Sequence, residues 1–247
     1  FFFSLLNSVY IGIIIGYLRW LYYYKILNKL KTKNSNYALK NTLAHNLTVF
    51  DKFPLDDFVM KRTSWLINSI SAIEFLNNNS NFLIIGPRTE SDLLKIKGSF
   101  GTTNIEAIDI ISYSPWIKLQ DMHSIEFSDN YFECVMNNWA IAYSENQKIV
   151  FKEMIRVLKS GGIFALGFEH HDNILIDEYK KKDQRHVNGL INSHKDINSV
   201  QDIENILLEL EINFETLIKI DAPLKNIRTS EKIKLTGTEG SQIIYLA

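Results

Sequence analysis

Two positions in the middle of the chain, Gly86 and Asp109, have the residue types and spacing to hold a nucleotide-like cofactor. Gly86 closes the apolar run Asn81 to Ile85. A buried parallel strand reads as such a run, and a glycine at its carboxyl end lets backbone approach a ligand with no side chain in the way. About twenty residues further on, Asp109 ends a second apolar stretch, NIEAIDI, where a carboxylate would accept hydrogen bonds from ribose hydroxyls. Asp121 closes a third, IKLQDMH. An ordinary strand end or a capping aspartate would look the same at each position, so the surrounding elements decide what these residues mean.

Those elements alternate. Apolar runs predict strands over 81–86, 104–110, 117–123, 131–138, 163–168, 214–221 and 242–247. Helical spacing fits Leu55 to Leu76, Thr89 to Ile96, Ser144 to Leu158 and Ser199 to Leu210. Thr89, with Asp92 three residues on, reads as a capping box; Ser199 reads as an N-cap, and Gly161-Gly162 as a C-cap. The segment Ile111 to Trp116 is too short for a helix and predicts a tight loop across the sheet end. Strand and helix alternating at this rhythm imply an α/β fold with a doubly wound, mostly parallel sheet.

A chain of 247 residues, 46% hydrophobic and with a formal charge of -1, fits one large α/β domain with an extension. The charge excludes a chain-wide attraction for nucleic acid. A single cysteine, Cys134, rules out an internal disulfide and points to a reducing, cytoplasmic compartment. No spacing of His, Cys or carboxylates suggests a metal.

Residues 1–18 carry no charge and are followed by Arg19, Trp20, three tyrosines and Lys25, Lys29, Lys31 and Lys33. That length is the lower edge of a membrane span, with aromatic and basic residues where an interface would want them. A helix lying on a membrane surface, or packed on the domain, has the same pattern. The chain thus divides into an apolar helix and possible membrane anchor over 1–33, a linker and covering helix over 34–80, and a catalytic-type domain over 81–247.

The run from Leu119 to Gly167 resembles the core of class I S-adenosylmethionine-dependent methyltransferases. Asp121, Phe127, Asp129, Phe132 and Glu133 match in order, followed by Arg156-Val157-Leu158-Lys159-Ser160-Gly161-Gly162. The resemblance implies a seven-stranded, Rossmann-like sheet with an antiparallel last strand, and S-adenosyl-L-methionine as cofactor. It assigns Gly86 to the loop facing the cofactor's amino acid part, Asp109 to the ribose, and Asp121 with Met122 to adenine. Asn138 and Trp139 fall beside the transferred methyl group.

The family's glycine-rich loop is reduced to one glycine, with Ile84 where an acid usually stands and Arg88 and Glu90 at the later positions. Glu90 could meet the cofactor's ammonium and Arg88 its carboxylate. Both side chains could equally fill the site, leaving a degenerate fold that binds or scaffolds without catalysis. A nicotinamide enzyme is disfavoured, because Pro87 and Arg88 follow Gly86 and no G-x-G-x-x-G is formed. Beyond the fifth strand, His170 and His171 are candidate bases for the acceptor, against the alternative of a solvated loop pair. The Asn-Asn-Trp-Ala sequence at 137–140 lacks the motif for DNA amino methylation, so the expected acceptor is a small molecule, lipid or glycan.

Overall fold

A computed structural model describes residues 8–36, 61–170, 199–220 and 241–247, with Ala38, Leu43, Asn46, Leu47, Phe50 and Ile197 as isolated positions between them. The N-terminal β1 (Lys31–Thr32) and β4 (Ile111–Ser112) form a separate two-stranded pair. The main sheet is built from β2 (Phe82–Ile85), β3 (Ile105–Asp109), β5 (Lys118–Leu119), β6 (Phe132–Asn138), β7 (Leu158–His170), β8 (Ile218–Ile220) and β9 (Ser241–Leu246). These strands run in the order β5-β3-β2-β6-β7-β9-β8. The pairs from β5 across to β7 are parallel, whereas β9 is antiparallel to both β7 and β8.

The N-terminal stretch is joined to the domain at several points. Helix α1 (Val9–Trp20) lays Ile11, Ile13 and Ile15 against Leu94 and Trp116. Strand β1 pairs antiparallel with β4, and Trp20, Phe50, Ile111 and Tyr113 form a separate apolar cluster. The twelve α-helical residues reach about 18 Å, and the π-helical Leu21–Ile26 that continues them carries three tyrosines and Lys25, so the apolar stretch stays short of the ~30 Å of a bilayer core. Among the described residues no helix is long and apolar enough to cross a membrane.

The middle strands are apolar on both faces because helices cover both. On one face α2 (Lys61–Ser71) brings Leu66, Ile67 and Ile70 onto Phe82, Ile84, Cys134 and Met136. After Gly86 comes α3 (Ser91–Phe100). On the other face, α4 (Gln147–Val157) and α5 (Val200–Glu209) bring Val150, Phe151, Met154, Ile203 and Leu207 onto Leu83, Ile85 and Val135. Each such fully buried side chain stabilises by about 1.5–3 kcal/mol. Cys134 is one of these core residues, and burial pushes its thiol well above the usual range.

Some local expectations are corrected. The N-cap of α3 is Glu90, with no side-chain cap bond. The positive φ of Arg88 delays the helix past Thr89, whose hydroxyl turns to Ser91 instead. Gly161 and Gly162 do not cap α4: Leu158 is the extended C-cap and already pairs with Phe132. The glycines serve the return onto the sheet. Gly161 takes a φ of +73°, and a Cβ on Gly162 would lie 2.9 Å from the Lys159 carbonyl and 3.0 Å from that of Glu133. The third strand is only Lys118–Leu119, so Asp121 stands in the turn beyond it. Ser199 caps α5 as expected, accepting from the Asp202 amide.

Candidate functional site

Ligand sites in open α/β sheets form outside the carboxyl ends of the strands, where the order reverses. Here β2 lies between β3, which leads on to β5, and β6, which leads on to β7. Gly86, Asp109, Asp121 and Asn138 all stand at that edge.

Gly86 has a φ of +72°, and its amide donates to the Ile108 carbonyl at 2.8 Å. A Cβ there would come 2.2 Å from the Cβ of Ala140, in the short 3-10 turn Ala140–Tyr143 that follows β6. Glycine is therefore required twice, by conformation and by the close approach of that turn. The next loop residue but one, Arg88, also has positive φ, and its amide donates to Asp109 Oδ2 at 3.2 Å.

Asp109 organises the loop between β3 and β4, because its Oδ1 also accepts from the Ile111 amide at 3.1 Å. Part of the residue meets solvent while the carboxyl group is enclosed. Burial pushes it up to about 6, and bonds from the Ile111 and Arg88 amides hold it from going higher. Asp121 behaves oppositely. Burial would raise its carboxyl, but bonds from the Ser35 hydroxyl and from the His123 amide and ring outweigh that and leave it below the usual range.

Glu90 does not face this edge with open oxygens. Its buried carboxylate accepts from Arg19 of α1 at two nitrogens, one of them Nη2 at 2.9 Å, and from the Ser114 hydroxyl. The Arg19 guanidinium is also stacked 3.4 Å from the centre of the Trp116 ring. Arg19, read in the sequence as a basic flank, is thus the partner of the loop's acid.

At the end of β6, the Asn137 side chain accepts from the Ile141 amide at 2.9 Å and donates to Met122 Sδ at 3.9 Å, which sets Met122 beside the strand end. Asn138 Nδ2 donates to Asp92 Oδ2 at 2.5 Å. A carboxylate can only accept, so this bond fixes which amide atom is oxygen. That oxygen, Oδ1, is buried, and no donor reaches it among the described residues. Trp139 takes a φ of +58°, and its ring fills the space over Gly167, where a Cβ would lie 2.5 Å away. His170 is the last residue of β7, and His171 lies outside the described residues.

Two residues with no assigned role belong to the same edge. His123 Nδ1 lies 2.6 Å from Asp121 Oδ1, and its Nε2 lies 2.7 Å from Ser144 Oγ. The Asp-x-His spacing was visible in the sequence. That Ser144, just past the 3-10 turn, would reach the ring was not.

Comparison with known proteins agrees with this architecture. Residues 104–166 match the family profile described as the methyltransferase domain. A Methanococcus maripaludis protein, named a candidate S-adenosyl-L-methionine-dependent methyltransferase, superposes with a TM-score of 0.50 at 17% identity, over 87% of this chain and 96% of its own. A Thermotoga maritima protein, named a possible histamine N-methyltransferase, gives 0.51 at 12% identity, over 82% and 97%. This is the class I methyltransferase fold. A chain of the Haloferax volcanii complex between a methyltransferase activator and its candidate methyltransferase also shares it, with a TM-score of 0.52 at 14% identity, over 77% of this chain and 92% of that one.

An uncharacterised Methanocaldococcus jannaschii protein is 27% identical over 111 residues, which are 45% of this chain. The match spans about half the length of that relative, 52%. In the methyltransferase fold the carboxyl edge of the sheet is where Gly86, Asp109 and Asp121 meet here. The matched span of 104–166 contains both aspartates, Asn138, Trp139 and the Arg156 motif. Arg156 itself is structural. It donates to the carbonyls of Ile125 and Phe127 at 2.7 and 2.8 Å and to Asp129 at 2.6 Å, tying the segment before β6 to α4.

Proposed function

We propose that the chain transfers a methyl group from S-adenosyl-L-methionine to a small-molecule, lipid or glycan acceptor. The observation that carries this is the pair Asp109 and Asp121, one at the end of β3 and the other just past its parallel neighbour β5. Their chemistry differs in a useful way. A ribose diol would donate to Asp109, whose carboxyl is easily protonated and gains from such donors. An adenine amino group would donate to Asp121, which is held ionised.

Two features make the remaining contacts fit. Met122 offers an apolar surface beside Asp121, and the buried Asn138 Oδ1 is an acceptor suited to an ammonium group. The bound cofactor would supply an electrophilic methyl already activated on sulfur, so the protein needs no strong acid or base of its own. Its residues would orient the acceptor in line and exclude water. Trp139, seated on Gly167, would wall the methyl end, and His170 or His171 would take the acceptor's proton.

One row on α1 and the turn after it bears on the acceptor. Tyr10, Ile14, Leu18, Tyr22 and Ile26 are exposed at every fourth position, next to Lys25, Lys29 and Lys31. This supports a lipid acceptor or an attachment to the cytoplasmic face of a membrane. Cosedimentation with phosphatidylserine vesicles that is lost in Ile14→Ser/Leu18→Ser is the expected result; no cosedimentation removes the lipid reading.

A second reading rests on Glu90. Because Arg19 and Ser114 already occupy its carboxylate, the alternative is a scaffold whose loop has closed. Calorimetric titration of the full chain with S-adenosylmethionine and S-adenosylhomocysteine separates the two. Micromolar binding, weakened at least about tenfold in Asp109→Ala and in Asp121→Ala, is expected for the enzyme. No binding by the folded chain would favour the scaffold.

A further inference from the structure

The contacts of His123 form a continuous chain. The Asn146 amide donates to Ser144 Oγ at 3.0 Å, Ser144 Oγ lies 2.7 Å from His123 Nε2, and His123 Nδ1 lies 2.6 Å from Asp121 Oδ1. The His123 amide adds a bond to the same carboxylate oxygen at 3.0 Å. Asp121 is an ionised acceptor, so Nδ1 carries a ring proton toward it. Nε2 faces the Ser144 hydroxyl, whose oxygen also accepts from the Asn146 amide.

The chain's anchors are firm. The His123 side chain and Ser144 are buried. Ser144 bridges to Ala38 and follows the 3-10 turn that presses on Gly86. Asn146 is the N-cap of α4, and its side chain accepts from the Ile149 amide. The carboxylate beyond β5 is therefore referenced to the helix beyond β6, across the width of the site.

A carboxylate has roughly four acceptor positions. Among the described residues, the His123 amide, the His123 ring and the Ser35 hydroxyl take three at Asp121. We propose that His123 is a positioning residue. Held by Ser144 and the start of α4, its imidazole locks Asp121 so that the remaining acceptor position recognises a 6-amino purine and rejects a 6-oxo purine. This rests on the cofactor reading above, which supplies the purine.

The test is the ratio of affinities for S-adenosylhomocysteine and S-inosylhomocysteine, measured by calorimetry on the full chain. The two ligands differ at the purine 6-position and at N1: the first offers an amino donor beside an acceptor N1, the second an oxygen acceptor, which a fixed carboxylate repels, beside an N1–H donor that only a reoriented carboxylate would reach. Wild type should prefer the adenine ligand strongly. In His123→Ala the ratio should fall about tenfold or more, as Asp121 becomes free to rotate or to take up a proton. Ser144→Ala keeps the ring but removes its anchor and should lower the ratio less. His123→Gln keeps an amide donor toward Asp121 and should restore part of the discrimination. A merely structural role would weaken both ligands alike, and a ratio left unchanged in His123→Ala, where wild type binds and discriminates, would overturn this inference alone. If folded wild type binds neither ligand, the cofactor reading fails and this inference fails with it.

Discussion

The two walls of the site treat their carboxylates in opposite ways. On the wall formed by β3 and β5, Asp109 and Asp121 are held mainly by hydrogen bonds from backbone amides, a histidine and a serine, with smaller contributions from the charge of Arg88 at Asp109 and of the His123 ring at Asp121. On the wall formed by the glycine loop and α1, Glu90 is met by a full guanidinium and a hydroxyl. An acid held mainly by amides and hydroxyls keeps an acceptor position for a ligand; one met by a guanidinium at both oxygens is satisfied internally. Position beside the loop is therefore not enough to make an acid a cofactor contact. The partner it already has decides.

The largest expected effect follows from the second wall. Glu90 is fully buried and Arg19 mostly so, and removing one member of a buried pair strands the other charge, at a cost of about 3–5 kcal/mol. Arg19→Ala should lower stability by that order in urea denaturation. Arg19→Met with Glu90→Gln, which removes both charges, should recover most of it. If Arg19→Ala instead leaves stability within about 0.5 kcal/mol and tightens S-adenosylhomocysteine binding, Glu90 is a cofactor ligand and the contrast between the walls collapses.

Asp109 carries the next effect, through pH. Its carboxyl rises from 3.8 to about 6 on folding, so between these values the folded state binds more protons than the unfolded state. Stability therefore falls as pH rises through that window and levels off above it, by up to ~3 kcal/mol and less to the extent that solvent reaches the residue. Ribose hydroxyls donate to the ionised form, so cofactor affinity should rise over the same window. Asp109→Asn should flatten both slopes while weakening binding. A slope in affinity that survives in Asp109→Asn would assign it to another group.

Most of the sheet was legible in the sequence because buried parallel strands are continuous apolar runs, as at Phe82–Ile85 and Phe132–Asn138. Asp109 was legible for the same reason, since it ends β3, whereas Asp121 stands in the turn past the two-residue β5. Long-range partners were not. Nothing local tells that Arg19 crosses to Glu90, 71 positions away, or that Ser144 reaches His123. Glycines were misleading where only local rules were applied: Gly161-Gly162 looks like a helix stop, yet the space beside Gly162 is taken by Leu158 and by carbonyls of Lys159 and Glu133. Lys31–Thr32 was invisible as a strand because two polar residues pairing with Ile111–Ser112 carry no periodicity.

The smallest effect sharpens the comparison most, because it sets like against like. Ser114 and Ser144 are both buried, each bonded through its hydroxyl to one functional side chain, Glu90 in the first case and His123 in the second. Deleting either hydroxyl should cost about 1 kcal/mol of stability. The consequences for the ligand should differ. Ser114→Ala leaves Glu90 with Arg19, so the affinities for the adenine and inosine ligands should keep their ratio. Ser144→Ala unlocks the ring that sets Asp121, so the ratio should drop while stability changes as little as in its counterpart. If both variants shift the ratio equally, the two walls are mechanically coupled through the 3-10 turn against Gly86, and specificity belongs to the loop as a whole. If only Ser144→Ala shifts it, purine recognition belongs to the β5 wall, and the paired acid at position 90 holds the N-terminal helix in place.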